Sequence, residues 1–217
     1  MSPSIFHPPG EAAAHMRGGF AHPASGGCGQ AQRMVKSVRA SSKNRSEDSM
    51  DGIYSGISIA HVAGFRMARY VIISPSPEDD VNAYMDKWAG ESGLLGVPGY
   101  VPKKIGWDFP YVTKQQQEEF GLRGYVLAYV LPEGFEPKCG GAQIAVQGAD
   151  AYAKITITDP FIDPFGRIPG AYERIMAYGK ENGVEPKLWE GRICFEEIRE
   201  EGGVTYMDVY MPVDLKE

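Results

Sequence analysis

The chain states one plan twice, and a duplication constrains the fold more than any local propensity does, because it dictates topology before a single element is assigned. Met67-Ala68-Arg69-Tyr70-Val71-Ile72-Ile73-Ser74-Pro75 lines up without gaps against Tyr152-Ala153-Lys154-Ile155-Thr156-Ile157-Thr158-Asp159-Pro160. Each run leads into a helical pattern that stops at a glycine, at Glu91-Ser92-Gly93-Leu94 and at Glu181-Asn182-Gly183-Val184. An aromatic-acid pair follows in each half, Trp107-Asp108 and Phe195-Glu196. The halves then close on Tyr125-Val126-Leu127-Ala128-Tyr129-Val130 and Tyr206-Met207-Asp208-Val209-Tyr210-Met211, which share Tyr-x-x-x-Tyr. Identities are few, so order and pattern carry the duplication.

Local signals fill in the plan. Ile53 to Val62 alternates apolar and small or polar residues and is expected to be an outer strand of the first half. Ser76-Pro77-Glu78-Asp79 predicts a helix start, with Ser76 as cap, Pro77 at the first position and acids facing the dipole. Val81, Tyr84, Met85 and Trp88 follow at helical spacing; in the second half Ile168, Ala171, Tyr172, Ile175, Met176 and Gly179 do the same. Lys114 to Glu119 reads as a solvated turn or short helix, and Glu200-Glu201-Gly202-Gly203 as a hairpin turn. Along the last strand Met207, Val209 and Met211 share one face, while Tyr206, Asp208 and Tyr210 share the other. The expected fold class is α+β: two pseudo-symmetric antiparallel strand-helix-strand-strand halves, about 52–132 and 141–214, in one sheet with two helices on one face and a groove between the halves.

Residues 1–49 differ from the domain expected over 50–217. They hold much Gly, Pro, Ser and Ala and no sustained apolar period, which predicts disorder. A transit peptide, or a true start at Met50, are the other readings of this stretch. His7, His15 and His22 lie there at spacings that preform no ligand geometry, so no metal is expected. From Met50 onward 16 Lys and Arg stand against 25 Asp and Glu, a formal charge of −9, while the first 49 residues carry six basic and three acidic residues, +3. An acidic domain disfavours direct nucleic-acid binding, which needs the opposite sign. No apolar run reaches membrane-spanning length and no secretory signal is present, so a cytoplasmic protein without membrane contact is expected. Cys28, Cys139 and Cys194 are odd in number and lack Cys-x-x-Cys spacing, so they read as thiols.

The run Val146-Gln147-Gly148-Ala149-Asp150-Ala151-Tyr152-Ala153-Lys154, with Asp159-Pro160-Phe161, Ala171-Tyr172-Glu173-Arg174-Ile175, Glu181-Asn182-Gly183, Phe195-Glu196 and Asp208-Val209-Tyr210-Met211-Pro212-Val213, resembles the GyrI-like effector-binding domain. Ile105-Gly106-Trp107-Asp108-Phe109-Pro110 and the Gly124-Tyr125 strand extend the resemblance over roughly residues 52–214. That domain occurs alone and at the C-terminus of AraC-type and MerR-type multidrug-responsive regulators, and is built from tandem SOUL-like strand-helix-strand-strand modules. The resemblance implies a groove for bulky aromatic or cationic small molecules, serving as effector sensor or for drug or toxin sequestration. It also brings two alternatives: hydrolysis of strained electrophilic toxins, and inhibition of gyrase or binding of a regulator as protein partner. The chain departs from the family at Val126, where many members carry an acid, and at Asp159-Pro160-Phe161, where Gly-Pro-Tyr is usual. The acids that mark the hydrolytic members are not recognisable after it.

The ligand-binding residues expected on this basis are Tyr125, Tyr129, Tyr206 and Tyr210 as aromatic walls, Trp107 as a stacking platform, and Glu196 and Asp208 as anions facing a delocalised cation. Glu196 and Glu197 point to opposite faces, and Glu196 matches the family's Phe-Glu position. Glu196 is also the one candidate for a catalytic acid or base. The other reading of each tyrosine is an ordinary half-buried sheet surface. No nucleotide loop, zinc-protease helix or serine-nucleophile elbow is present, and His61 is the sole histidine of the domain, so no cofactor is expected and more weight falls on binding than on catalysis.

Overall fold

The computed structural model describes residues 52–187 and 192–215. The segment expected to be disordered, with its three histidines and Cys28, lies outside the described residues. In chain order the elements are β1 (Ser58–Val62), β2 (Phe65–Ser74), α1 (Pro77–Glu91), β3 (Lys104–Asp108), α2 (Lys114–Phe120), β4 (Arg123–Val130), β5 (Gln143–Gln147), β6 (Asp150–Thr158), α3 (Pro164–Asn182), β7 (Glu185–Pro186), β8 (Phe195–Glu201) and β9 (Val204–Asp214). The strands form one antiparallel sheet in the order β1-β6-β9-β8-β3-β4-β2-β5, with β7 beside the end of β9. The two halves are β2-β4-β3 and β6-β9-β8, and they join where Gly106 of β3 opposes Glu196 of β8. This is the expected α+β arrangement.

Each half puts its helix on the same face of the sheet. Helix α1 begins at Pro77, which has no N–H to leave unpaired, and gathers Glu78, Asp79 and Asp80 in its first turn. Ser76 does not cap it: its side chain makes no capping bond, and the Ser74 hydroxyl instead accepts from the Ser76 N–H and donates to Asp80. Val81, Met85 and Trp88 bury one stripe of α1 against Ala68, Leu127 and Tyr129. Helix α3, capped by Asp163 on the Gly166 N–H and ended by Gly183 at φ +66°, buries Ala171 and Ile175 against Ile155, Ile157, Met207 and Val209. Both helices stop where glycine takes the left-handed conformation, Gly93 at φ +83° and Gly183. The β8–β9 hairpin turns on Gly202 and Gly203, both at positive φ as a two-residue turn of this hand requires.

The outer strands correct one expectation. Strand β1 does not pair within the first half; it pairs with β6 of the second, and β5, which leads into the second half, pairs with β2 of the first. The two connectors, 62–65 and 147–150, therefore cross. They do so backbone against backbone, since a Cβ added at Gly64 would stand 3.2 Å from the Ala149 nitrogen and the Gln147 oxygen. This crossing draws the two ends of the sheet together and curls it. On the reverse face, opposite α1 and α3, the curl encloses a third core of Met67, Ile105, Ala128, Tyr152, Phe195 and Tyr210.

Ile155 is fully buried under α3, whereas Ile198 is half exposed. Ile155→Ala removes a side chain with no route to collapse and is expected to cost about 2–5 kcal/mol in urea unfolding. Ile198→Ala is expected to stay within about 0.5 kcal/mol of the parent; equal losses would contradict the core as described.

Candidate functional site

Helix α1 lies over β2 and β4, and α3 over β6 and β9, so the central strands β3 and β8 floor a cleft between the helices. Alternation along the strands decides what faces it. Gly106 and Asp108 of β3 and Glu196 and Ile198 of β8 point up between the helices, while Ile105, Trp107 and Phe195 belong to the reverse face. The centre of the floor is thus an acid opposite a glycine.

Two tyrosines close over that acid. The Tyr125 hydroxyl donates to Glu196 Oε2 at 3.1 Å, and the Tyr172 hydroxyl, reaching down from α3, donates to Oε1 at 3.0 Å. Gly106 makes the first of these possible, because a Cβ there would stand 2.3 Å from the Tyr125 hydroxyl oxygen. Any side chain at 106 would push the phenol off the carboxylate. Glu196 retains some accessible surface, being on a cleft floor, yet protein surrounds it densely. Burial first, then the Asp108 charge, push its carboxyl up to about 7, with the two tyrosine hydrogen bonds opposing. Burial and the neighbouring Glu196 drive Tyr125 and Tyr172 well above the usual phenol range, so both remain donors at neutral pH. Asp108, at the open end of the floor, is raised by burial and by Glu78 while Arg123 pulls it down; Arg123 itself forks onto Glu78 with two 2.7 Å bonds.

The seven side chains expected to bind a ligand do not share one face. Tyr125 and Glu196 meet in the cleft. Tyr129 is on the same face but is 2% exposed under α1, its hydroxyl held by Asp86 at 2.6 Å. Trp107, Tyr206, Asp208 and Tyr210 are on the reverse face. There Tyr210 stacks on Phe195 at 4.5 Å, and the Arg199 guanidinium stacks on Tyr206. Asp208 is 4% exposed and already neutralised, by Lys154 at 2.8 Å with the Thr156 hydroxyl at 2.5 Å. Glu197 also turns to the reverse, onto Lys103.

The paired Tyr-x-x-x-Tyr strands are therefore not equivalent. Leu127 opposes Gly106 and Val209 opposes Glu196, which makes Tyr125 and Tyr129 the counterparts of Met207 and Met211, not of Tyr206 and Tyr210. The two motifs are one residue out of phase, and one residue exchanges the faces. Tyr172 and Gly106 were missing from the expected site. Tyr172 was legible as one residue of an apolar helix stripe and as part of the Ala171–Ile175 run, and neither signal assigns its hydroxyl to the site. His61 is exposed on edge strand β1, with β6 and β9 between it and β8. Neither Cys139 nor Cys194 is in a disulfide. Among the described residues no helix is long and apolar enough to cross a membrane.

No family model and no curated protein matches the sequence. Solved structures do resemble its fold. A cryo-EM structure of an EcmrR–DNA complex aligns at TM-score 0.51 and 13% identity over 87% of this chain, which spans 65% of that longer one. The EcmrR C-terminal domain taken alone aligns at TM-score 0.50 and 12% identity, over 74% of this chain and 98% of that one. A structure of SAV2435 bound to tetraphenylphosphonium aligns at 0.44 and 10%, over 74% and 94%. The fold seen here is thus similar to that of the EcmrR C-terminal domain.

The forces on Glu196 have separable signs. Tyr172→Phe removes a donor to the carboxylate and is expected to raise its pKa further; Asp108→Asn removes a like charge and is expected to lower it. Carbon-13 NMR of the carboxyl resonance reads both. Shifts in the reverse sense would mean that Glu196 does not occupy this environment.

Proposed function

We propose that the cleft between α1 and α3 binds bulky aromatic or cationic small molecules, with Glu196 as the anchoring anion and Tyr125 and Tyr172 as flanking aromatic groups. One observation carries this reading: a carboxylate set on the floor between two helices, with no cation among its hydrogen-bond partners in the described residues and two aromatic rings beside it. An entering cation supplies the countercharge that the protein withholds, and its apolar area gains by leaving water against the rings. The domain's net negative charge favours approach of such a ligand. Effector sensing and sequestration use the same binding step.

Binding requires the ionised carboxylate, so protons compete with the ligand. Affinity for a delocalised cation such as tetraphenylphosphonium is expected to be highest near pH 8 and to fall up to tenfold per pH unit below about 7. Glu196→Gln is expected to weaken it by one to two orders of magnitude, and titration calorimetry between pH 5.5 and 8 measures both. An affinity indifferent to pH and to this substitution would remove Glu196 from the site.

A second reading rests on the same residue. A carboxyl near pH 7 is suited to activate water, and hydrolysis of a strained electrophile would use Glu196 as general base. Turnover abolished in Glu196→Gln but retained in Tyr129→Phe would support it; unchanged turnover in Glu196→Gln would end it.

The raised pKa also has a stability consequence. A carboxyl moved from 4.5 to about 7 by folding binds protons more tightly in the folded state, so stability falls as pH rises through that window. The penalty at pH 8 is on the order of 3 kcal/mol. Glu196→Gln is therefore expected to be the more stable protein at pH 8 by up to that amount, and to converge with the parent near pH 4. Urea unfolding at the two pH values checks it, and a variant destabilised at pH 8 would contradict the assignment.

A further inference from the structure

We propose a second binding site on the reverse face of the sheet, taking a flat, uncharged bicyclic aromatic that directs one hydrogen-bond acceptor at Lys103. The site is a hollow of about 240 Å³ where the crossing connector 62–65 passes over β3, β4 and β8. Its lining combines the aliphatic Val62, Ile105 and Val130 with the aromatic Phe65, Phe195 and Tyr210. The three aromatic rings contact one another through Phe195. Phe195 and Tyr210 lie nearly parallel, 16° apart at 4.5 Å, and Phe65 meets Phe195 edge-on at 6.4 Å.

Size and charge together select the ligand. An apolar protein cavity of about 150 Å³ takes up benzene, so this hollow has room for a second fused ring. Among the described residues on its lining Lys103 is the one that is charged, and it is paired with Glu197 at 2.8 Å. One of the three ammonium donors is thereby used and the local charge is cancelled. An anionic ligand would meet Glu197 and a cationic one would meet Lys103, whereas a neutral molecule with a carbonyl-type acceptor opposes neither. The charge preference is thus unlike that of the cleft around Glu196. The two sites stand on opposite faces of the same strands, with Phe195 lining one and Glu196, the next residue, lining the other.

The test uses coumarin, a neutral bicyclic lactone, titrated into the full chain and followed by amide chemical shifts. Saturable shifts are expected at Ala63, Gly64, Phe65, Ile105 and Phe195. Lys103→Met is expected to weaken binding at least fivefold, and Val130→Phe, which fills the hollow, to abolish it, while both keep a dispersed spectrum and a Glu196 titration near 7. Indole, of the same shape but without the acceptor, should bind more weakly than coumarin. Absence of saturable shifts, shifts centred on Tyr125 and Tyr172, or equal binding by parent and Lys103→Met would each overturn the proposal; the last variant sits at the surface and serves even where Val130→Phe fails to fold.

Discussion

The organisation of this molecule turns on one carboxylate at the seam between two half-domains, whose hydrogen-bond partners among the described residues carry no charge. Glu196 is on β8 where β8 meets β3, and each half contributes one hydroxyl to it: Tyr125 from β4 of the first, Tyr172 from α3 of the second. Hydrogen bonds from neutral phenols offset only part of the cost of burying charge. The carboxyl responds by titrating near neutrality instead of in the ordinary acid range. The seam is thus where the fold keeps a carboxyl whose ionised form is costly, on the strands between the two helices.

Much of the architecture was legible because it rests on signals repeated over many residues. Helical periodicity, glycine stops and the order of elements located α1, α3 and the principal strands, and alternation along β9 separated Met207, Val209 and Met211 from Tyr206, Asp208 and Tyr210. What failed was the comparison of one motif with another across the halves. The Tyr-x-x-x-Tyr runs align by eye at the tyrosines, but the sheet aligns them at Leu127 and Val209. Spacing within a strand says which residues share a face; it does not say which face, and that is set by register against a neighbour. The pairing of β1 with β6 escaped for a related reason. An edge strand shows alternation, and nothing local tells which edge it completes.

The crossing at Gly64 explains why the molecule carries a core on the face opposite α1 and α3 at all. A flat sheet with helices on one side would leave its other side to water, and Phe195, Tyr152 and Met67 would be exposed there. Exchanging the outer strands between halves brings 62–65 against 147–150, and the sheet bends over those side chains. Arg192 reinforces the same corner, forking onto Asp150 at the start of β6 and bonding Asp214 at the end of β9. The swap therefore serves closure, and it makes the two halves interdependent: neither half alone owns both of its outer strands.

Two buried acids show how the same residue class takes different roles in one sheet. Asp208 is 4% exposed, yet Lys154 and the Thr156 hydroxyl bind it directly, with Arg199 3.7 Å away, and Lys154 in turn lies over the Tyr210 ring. Its charge is satisfied inside the protein, so it has little to offer a ligand, and it ties β6 to β8 and β9. Among the described residues Glu196 has hydroxyl donors but no ammonium or guanidinium bonded to it, and the charges that weigh most on it, Asp108 and Glu78, are of its own sign. Breaking a buried ion pair strands a charge, whereas neutralising an unpaired one relieves a cost already present. Removing the charge of Asp208 is therefore expected to cost stability and removing that of Glu196 to restore it, which sets Glu196 apart as the acid whose charge the fold does not need.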